Sequence, residues 1–317
     1  MLKDYFQLFR IPNLFTVPPD ILGGYFVTAI NTIPSINYYN LLLLSFSSVC
    51  LYIGGLITND LLDVEKDKAE RPNRPLSSGR IKKSTAVLLS ILFFGLGVFL
   101  SLLLTLTSTV IAFFLTFMIL LYNYKLKDSL SRPYLMGGIR SLNVIYGASS
   151  NSDFLNAFNP NYSIGYNSFF NNSSINLVIL TVAVFIHIFT LTFLSKRETM
   201  EEDKSYKHPL NLKKIFICYV CLFLIIIFLG HSYLPNKLIF LVFIGLFLLL
   251  VTMLFFNRMI KGKHGYADIL FLVKNMIILL IVLDSSFVAG SSGIYFGIIS
   301  IGMIIPCVII GKKVQMT

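Results

Sequence analysis

Ten apolar stretches alternate with short polar connections along this chain, near residues 11–30, 41–58, 84–104, 108–123, 134–150, 176–194, 215–231, 238–256, 268–287 and 294–311. A helix needs about 20 mainly apolar residues to cross a hydrocarbon core, and most of these stretches reach or approach that length. The stretches at 108–123 and 134–150 are the short ones. In lipid every backbone N–H and C=O must be satisfied within the span, which leaves helices or closed barrels. The pattern predicts an all-α fold, a polytopic transmembrane bundle of about nine or ten helices. Its central cavity is expected to open toward the cytoplasmic loops. No composition shift marks a second unit, so residues 1–317 read as a single transmembrane domain. Composition agrees: 56% of the 317 residues are hydrophobic, 13% are charged, and mean hydropathy is +0.77.

Charge adds an orientation. Of 26 Lys and Arg residues, 24 lie at the two termini or in every second connection, near 59–83, 124–140, 196–214 and 257–267. Lys237 and Lys274 are the others. This positive-inside layout puts both termini cytoplasmic, and the excess also suits anionic headgroups. The net charge of +11 would suggest nucleic acid in a soluble chain, but its distribution argues against nucleic acid as a partner. The first residues lack a cleavable signal's apolar core, so the first span is expected to remain as an anchor. Cys50, Cys218, Cys221 and Cys307 all fall in apolar spans, where a Cys-x-x-Cys spacing more often serves packing than redox or metal chemistry. The outer connection 151–175 carries sequons at Asn161 and Asn171, which matter only in a glycosylating host.

Polar chemistry gathers between the second and third spans. Asn59-Asp60-Leu61-Leu62-Asp63-Val64-Glu65-Lys66-Asp67 is followed at once by Arg71-Pro72-Asn73-Arg74-Pro75-Leu76-Ser77-Ser78-Gly79-Arg80. On a helix, positions 60, 63 and 67 share a face, with Asn59 one turn before Asp63. Such hard oxygens suit Mg²⁺, which takes one or two carboxylates plus substrate phosphates. The basic run would suit phosphates, or alternatively would anchor the protein at the cytoplasmic surface. A second acidic group, Glu198, Glu201, Glu202 and Asp203, follows the sixth span. It would hold a second metal, Glu198 first and Asp203 next, or would neutralise Lys196, Arg197, Lys204 and Lys207. Connections 59–83 and 196–214 sit four spans apart, which hints at a duplicated four-helix unit. Asp284 and Lys274 are placed near the ends of the ninth span, where long side chains snorkel. His187 is expected to pack or hydrogen-bond rather than ligate.

These residues resemble those of a known family. Asn59-Asp60-x-x-Asp63-x-x-x-Asp67 is similar to the first aspartate-rich motif of the UbiA superfamily of intramembrane prenyltransferases. Arg10-Ile-Pro-Asn13 through Asp20 resembles that family's approach to its first helix, and Tyr122-Asn123-Tyr124-Lys125 its element after the fourth. Met136-Gly-Gly-Ile-Arg140-Ser-Leu-Asn143 through Gly147 is similar to its Arg-x-x-Asn helix. Leu194-Ser195-Lys196-Arg197-Glu198, Leu283-Asp284 and Pro306 to Thr317 look closer to the EboC-like branch; prenyltransferases of known type carry a second DxxxD-like motif at the first of these.

The resemblance implies Mg²⁺-dependent ionisation of a prenyl diphosphate and capture of the allylic group by an aromatic ring or a lipid alcohol. On that footing Asn59, Asp60, Asp63 and Asp67 hold Mg²⁺, with the three aspartates catalytic. Arg71, Arg74, Arg80 and Lys125 meet the diphosphate together with Asn59, while Arg140 and Asn143, on one helix face, line the polar end of the cavity. The alternative is a non-catalytic membrane protein that binds or transports a lipid or pathway intermediate. An ion or proton transporter is disfavoured because the spans lack buried charge relays.

Overall fold

The computed structural model describes residues 2–29, 36–126, 131–151, 154, 172–202, 212–259 and 266–312. Among them the chain is helical and contains no strand. Short α1 (Leu2–Leu8), α2 (Ile11–Leu14) and α3 (Val17–Thr28) precede α4 (Tyr38–Leu62), α5 (Val64–Glu70), α6 (Lys83–Leu102) and α7 (Leu106–Leu121). Then come α8 (Arg132–Ala148), α9 (Asn172–Glu202), α10 (Leu212–Tyr233), α11 (Lys237–Met259) and α12 (Tyr266–Ser292). The described chain closes with α13 (Ile294–Gly302) and α14 (Ile304–Gly311). Among the described residues, eight helical segments are long and apolar enough to cross a membrane, with α13 and α14 together counting as one.

Proline shapes the limits of three of the ten expected stretches. The first is divided: α2 holds Pro12, and the chain restarts as the 12-residue α3 with Pro at its first turn. Proline fits there because those N–H groups have no helical partner. The fifth, α8, has 17 residues and likewise begins with a proline, Pro133. The last stretch breaks at Met303, where Pro306 offers no N–H to the carbonyl of Gly302. The expected limits also shift at α9, whose backbone stays helical to Glu202, past the expected end at 194.

Packing draws α3, α8, α9 and α12 to the centre. The α3–α8 crossing is backbone to backbone: a Cβ on Gly24 would lie 1.8 Å from the Val144 carbonyl oxygen, and one on Gly147 2.4 Å from that of Ile21. Small residues allow such approach where lipid supplies no hydrophobic drive between helices. Elsewhere aromatic rings interlock, Phe223 with Phe247 at 5.1 Å and Phe240 with Phe287 at 5.3 Å. Outward faces of α6, α7, α10 and α11 present large apolar side chains such as Ile91, Phe113, Phe228 and Leu238, as lipid contact requires.

His187 ties three helices together. Its Nε2 lies 2.8 Å from the carbonyl of Met276 and its Nδ1 2.6 Å from the Tyr219 hydroxyl. A carbonyl only accepts, so Nε2 carries the hydrogen and Nδ1 accepts from tyrosine. This is the packing role expected. Cys218 and Cys221 are exposed on α10 and unpaired. Asp284 departs from expectation: α12 runs on to Ser292, so this carboxyl lies within the helix and is 0% exposed rather than near a span end. The 151–175 sequons lie outside the described residues.

Candidate functional site

The acidic motif sits on a hinge. Helix α4 ends at Leu62, Asp63 adopts φ −89° and ψ 0°, and α5 resumes at Val64. Backbone bonds nevertheless continue from Asp63 N–H to the Asn59 carbonyl and from Asp67 N–H to that of Asp63. The expected shared face is therefore kept across the bend. Asp60 and Asp67 are each 5% exposed, while Asp63 is half-buried. Asn59 Nδ2 reaches toward Asp60 at 3.4 Å and Asp63 at 3.5 Å. Glu65 points the other way, bonded to Lys68 and Lys83 at 2.9 Å each. These two ammonium groups hold its carboxylate down to about 2. The tether is thus fully present above pH 4.5 and is lost as pH falls through about 2.

The following loop folds back through local bonds and a buried anchor. Ser77 Oγ donates to the Arg71 carbonyl, Ser78 N–H to that of Arg74, and Gly79 turns with φ +74°. Leu76 and Ile81 then enter the core formed by Leu8, Ile53, Ile57 and Val64. That anchor aims Arg74 at the acids: its Nη1 is 2.6 Å from Asp67 and 3.5 Å from Asp60. A second guanidinium comes from the amino terminus, where Arg10 Nη2 contacts Asp60 at 2.6 Å. Arg10 holds this position in a left-handed conformation, φ 46° and ψ 53°, uncommon for a residue with a side chain.

Of the residues expected at the diphosphate, the structure thus brings Arg74 to the acids and leaves two others apart. Arg71 is exposed, and Arg80 pairs with Asp4 at 2.8 Å and with the Asn73 carbonyl at 2.7 Å. Lys125 belongs to a π-helical turn, Tyr122–Leu126, that ends α7; its side chain lies outside the described residues. Asn123 anchors this turn by donating to the Gly55 carbonyl at 3.1 Å. Glu198 lies on the last turns of α9 without a described side chain, and Asp203 lies outside the described residues.

A cavity of about 170 Å³ lies between α3, α4, α7, α8, α9 and α12, and Tyr52 in its lining faces Arg10 of the rim. Its walls are apolar, with Leu115, Ile119, Ile139 and Leu191, and its polar end is formed by Asn13, Thr16, Ser48, Arg140 and Asn143. Arg140 Nη2 donates to the carbonyl and hydroxyl of Thr16, the latter at 2.9 Å. Its Nε lies 2.7 Å from Asp20, but off the bonding line, so the contact is an ion pair rather than a hydrogen bond. Asn143 donates to Asp20 at 2.9 Å and accepts from Ser48 at 2.5 Å. Arg10 and Asp20 belong to the sequence segment expected at the first helix, yet neither stands out as a site residue there. An acid inside an apolar stretch was the available signal for Asp20. Arg10 had none, since its partner is fifty positions away.

Two observations bear on Mg²⁺. Among the described residues no three His, Cys, Asp or Glu side chains form a closed metal cage. The donors present are nevertheless hard oxygens, and Arg74 spans Asp60 and Asp67 while Arg10 contacts Asp60, where positive charge is wanted. Two guanidinium groups against three aspartates leave the rim acidic. An ion that keeps waters and takes phosphate oxygens needs only one or two of these carboxylates, so the residues fit.

A family model decides the matter: that of the UbiA prenyltransferase family matches residues 17–278. The chain belongs to this family. It is 32% identical over 265 residues to the digeranylgeranylglyceryl phosphate synthase of Sulfurisphaera tokodaii, covering 80% of this chain and 87% of that one. A solved structure described as digeranylgeranylglyceryl phosphate synthase in membranes aligns with TM-score 0.62 at 21% identity, over 92% of this chain and 99% of that one. A UbiA homologue from Archaeoglobus fulgidus, bound to GPP and Mg²⁺, aligns with TM-score 0.61 at 16% identity, over 94% and 99%. This UbiA-type prenyltransferase is accordingly an integral membrane protein. The named relatives lend no support to the EboC-like branch.

Proposed function

We propose that this UbiA-type protein transfers a prenyl group from an isoprenoid diphosphate to the hydroxyl of a glycerol-phosphate lipid within the membrane. The observation that carries this is a carboxylate–guanidinium rim set beside an apolar cavity. The name of the Sulfurisphaera relative supports the lipid class of acceptor. Asn59, Asp60, Asp63 and Asp67 would hold Mg²⁺, which, when bound, neutralises diphosphate charge and eases its departure. Arg74 and Arg10 would turn from the aspartates to the diphosphate oxygens. Asp60 and Asp67 orient these forks beforehand, so little reorganisation is needed as charge develops. The apolar walls take the isoprenoid. In the transfer, the acceptor hydroxyl oxygen bonds to the allylic carbon and the carbon–oxygen bond to diphosphate breaks. The electron pair leaves with pyrophosphate, which takes the hydroxyl proton. The whole chain would act as one domain, with its acidic motif and both termini on the cytoplasmic side, as the lysine and arginine layout supports.

The test uses labelled geranylgeranyl diphosphate with purified protein in vesicles and a panel of glycerol-phosphate lipids and aromatic acceptors. Mg²⁺-dependent ether formation on a glycerol-phosphate lipid is expected. Tight donor binding with no turnover across the panel would sink the reading and favour a binding protein. The rim geometry adds a contrast between two arginines. Arg74→Lys keeps the charge but loses the planar fork, and is expected to raise KM for the diphosphate about tenfold. Arg80→Lys, remote from the acids, should leave it within about twofold. Initial-rate kinetics with varied donor checks both.

A further inference from the structure

A second pair of acids lies behind the cavity rather than at its rim. Asp20 on α3 and Asp284 on α12 are each 0% exposed, and their carboxyl groups lie within hydrogen-bonding reach of one another. Asp20 uses Oδ2 for Arg140 and Asn143. Its Oδ1, and both oxygens of Asp284, meet no N–H or O–H donor among the described residues. Two carboxylates so close cannot both be ionised in a dry interior, and one guanidinium offsets only one of them. The donors identify the partner that keeps the charge. Asp20 contacts Arg140 and Asn143 directly, whereas Asp284 meets Asp20 and feels Arg140 only as the more distant charge.

We propose that Asp284 is a positioning residue that carries the proton and donates it to Asp20 Oδ1. The bond satisfies two of the three orphaned oxygens and leaves Asp20 one negative charge, balanced by Arg140. It also fixes Asp20 between α3, α8 and α12. Arg140 and Asn143, which Asp20 aligns, form the polar end of the cavity. With Nε turned to Asp20 and Nη2 to Thr16, Arg140 has Nη1 left for a ligand. The rim acids and Arg74 serve the donor diphosphate, so the group that Nη1 takes is the polar head of the acceptor. Asp284 therefore sets acceptor affinity without touching either substrate, an inference that rests on the prenyl-transfer reading above.

Kinetics with donor and acceptor varied separately tests this in vesicles. Asp284→Ala is expected to raise acceptor KM about tenfold, while donor KM and Mg²⁺ dependence stay within about twofold. Asp284→Asn can still donate N–H to Asp20 and should restore most of the lost affinity, a rescue that does not depend on charge. An unchanged acceptor KM in the alanine variant overturns the proposal. So does an asparagine variant as impaired as alanine at equal thermal stability. A readout independent of turnover is infrared spectroscopy of the purified protein. A carboxylic-acid C=O band is expected in wild type and should be lost in Asp284→Asn; an unaltered spectrum refutes the protonated Asp284. Should wild type transfer no prenyl group, that failure belongs to the proposed function, and the infrared result still decides Asp284.

Discussion

Asp67→Asn is expected to lower kcat/KM for prenyl transfer about 10²- to 10³-fold, the scale of losing one preorganised charge-stabilising group. Asp67 is 5% exposed and bonded to Arg74 at 2.6 Å. Asparagine keeps the shape and can still accept from the guanidinium, so folding should survive. What it loses is the negative charge that would attract Mg²⁺ and hold the Arg74 fork in place. The Mg²⁺ concentration for half-maximal rate should therefore rise along with the fall in kcat. Rates measured across a Mg²⁺ titration, with a melting curve as a control for folding, check the prediction. Full activity with unaltered Mg²⁺ dependence would remove Asp67 from the site. Glu65→Gln, two residues before Asp67 in the same motif, is the internal comparison. Its carboxylate faces Lys68 and Lys83, so its loss should leave the Mg²⁺ profile in place.

Gly24→Ala is expected to be the most damaging single methyl in the bundle, costing about 3 kcal/mol or more. The added carbon would meet the Val144 carbonyl at 1.8 Å, and backbone cannot swing aside as a side chain can. Relief requires α3 and α8 to separate, which breaks the facing contact of Gly147 with Ile21 and displaces Arg140 and Asn143 from the cavity. Stability and acceptor affinity should fall together. Gly138→Ala on the same α8 is the contrast. Its Cβ meets nothing within 4 Å, and alanine gains up to about 1 kcal/mol in helix propensity. Thermal unfolding in one detergent compares the two. A wild-type melting point for Gly24→Ala would show that the helices are not in backbone contact.

Much of this architecture was legible because the signals are local. Apolar runs report membrane crossing wherever a helix is long enough, and the spacing of Asp60, Asp63 and Asp67 survives the hinge between α4 and α5. Broken helices were harder. The ninth stretch looked finished at Phe287 because small polar and glycine residues follow, yet Ser285, Ser286 and Ser291 return their hydroxyls to carbonyls of α12 itself. Intrahelical bonding lets serine run through an apolar core, and Ser285 adds one contact outside the helix, to the Ser300 hydroxyl at 2.9 Å. That continuation is what buries Asp284. Likewise the basic loop contained three arginines with equal claims on phosphate. The burial of Leu76 and Ile81 brings Arg74 to the acids, and that depends on contacts with α1 and α4 that no local pattern displays.

The brevity of α3 has a further consequence. Twelve residues rise about 18 Å, against a hydrocarbon core about 30 Å thick. A helix of that length that reaches one face of the membrane begins about 12 Å short of the other, and Thr16 and Arg140 meet at that sunken start. An allylic centre formed there would be screened from bulk water, its commonest competing nucleophile. The gap left by about two missing turns would then decide how much prenyl ends as ether and how little is wasted as free alcohol.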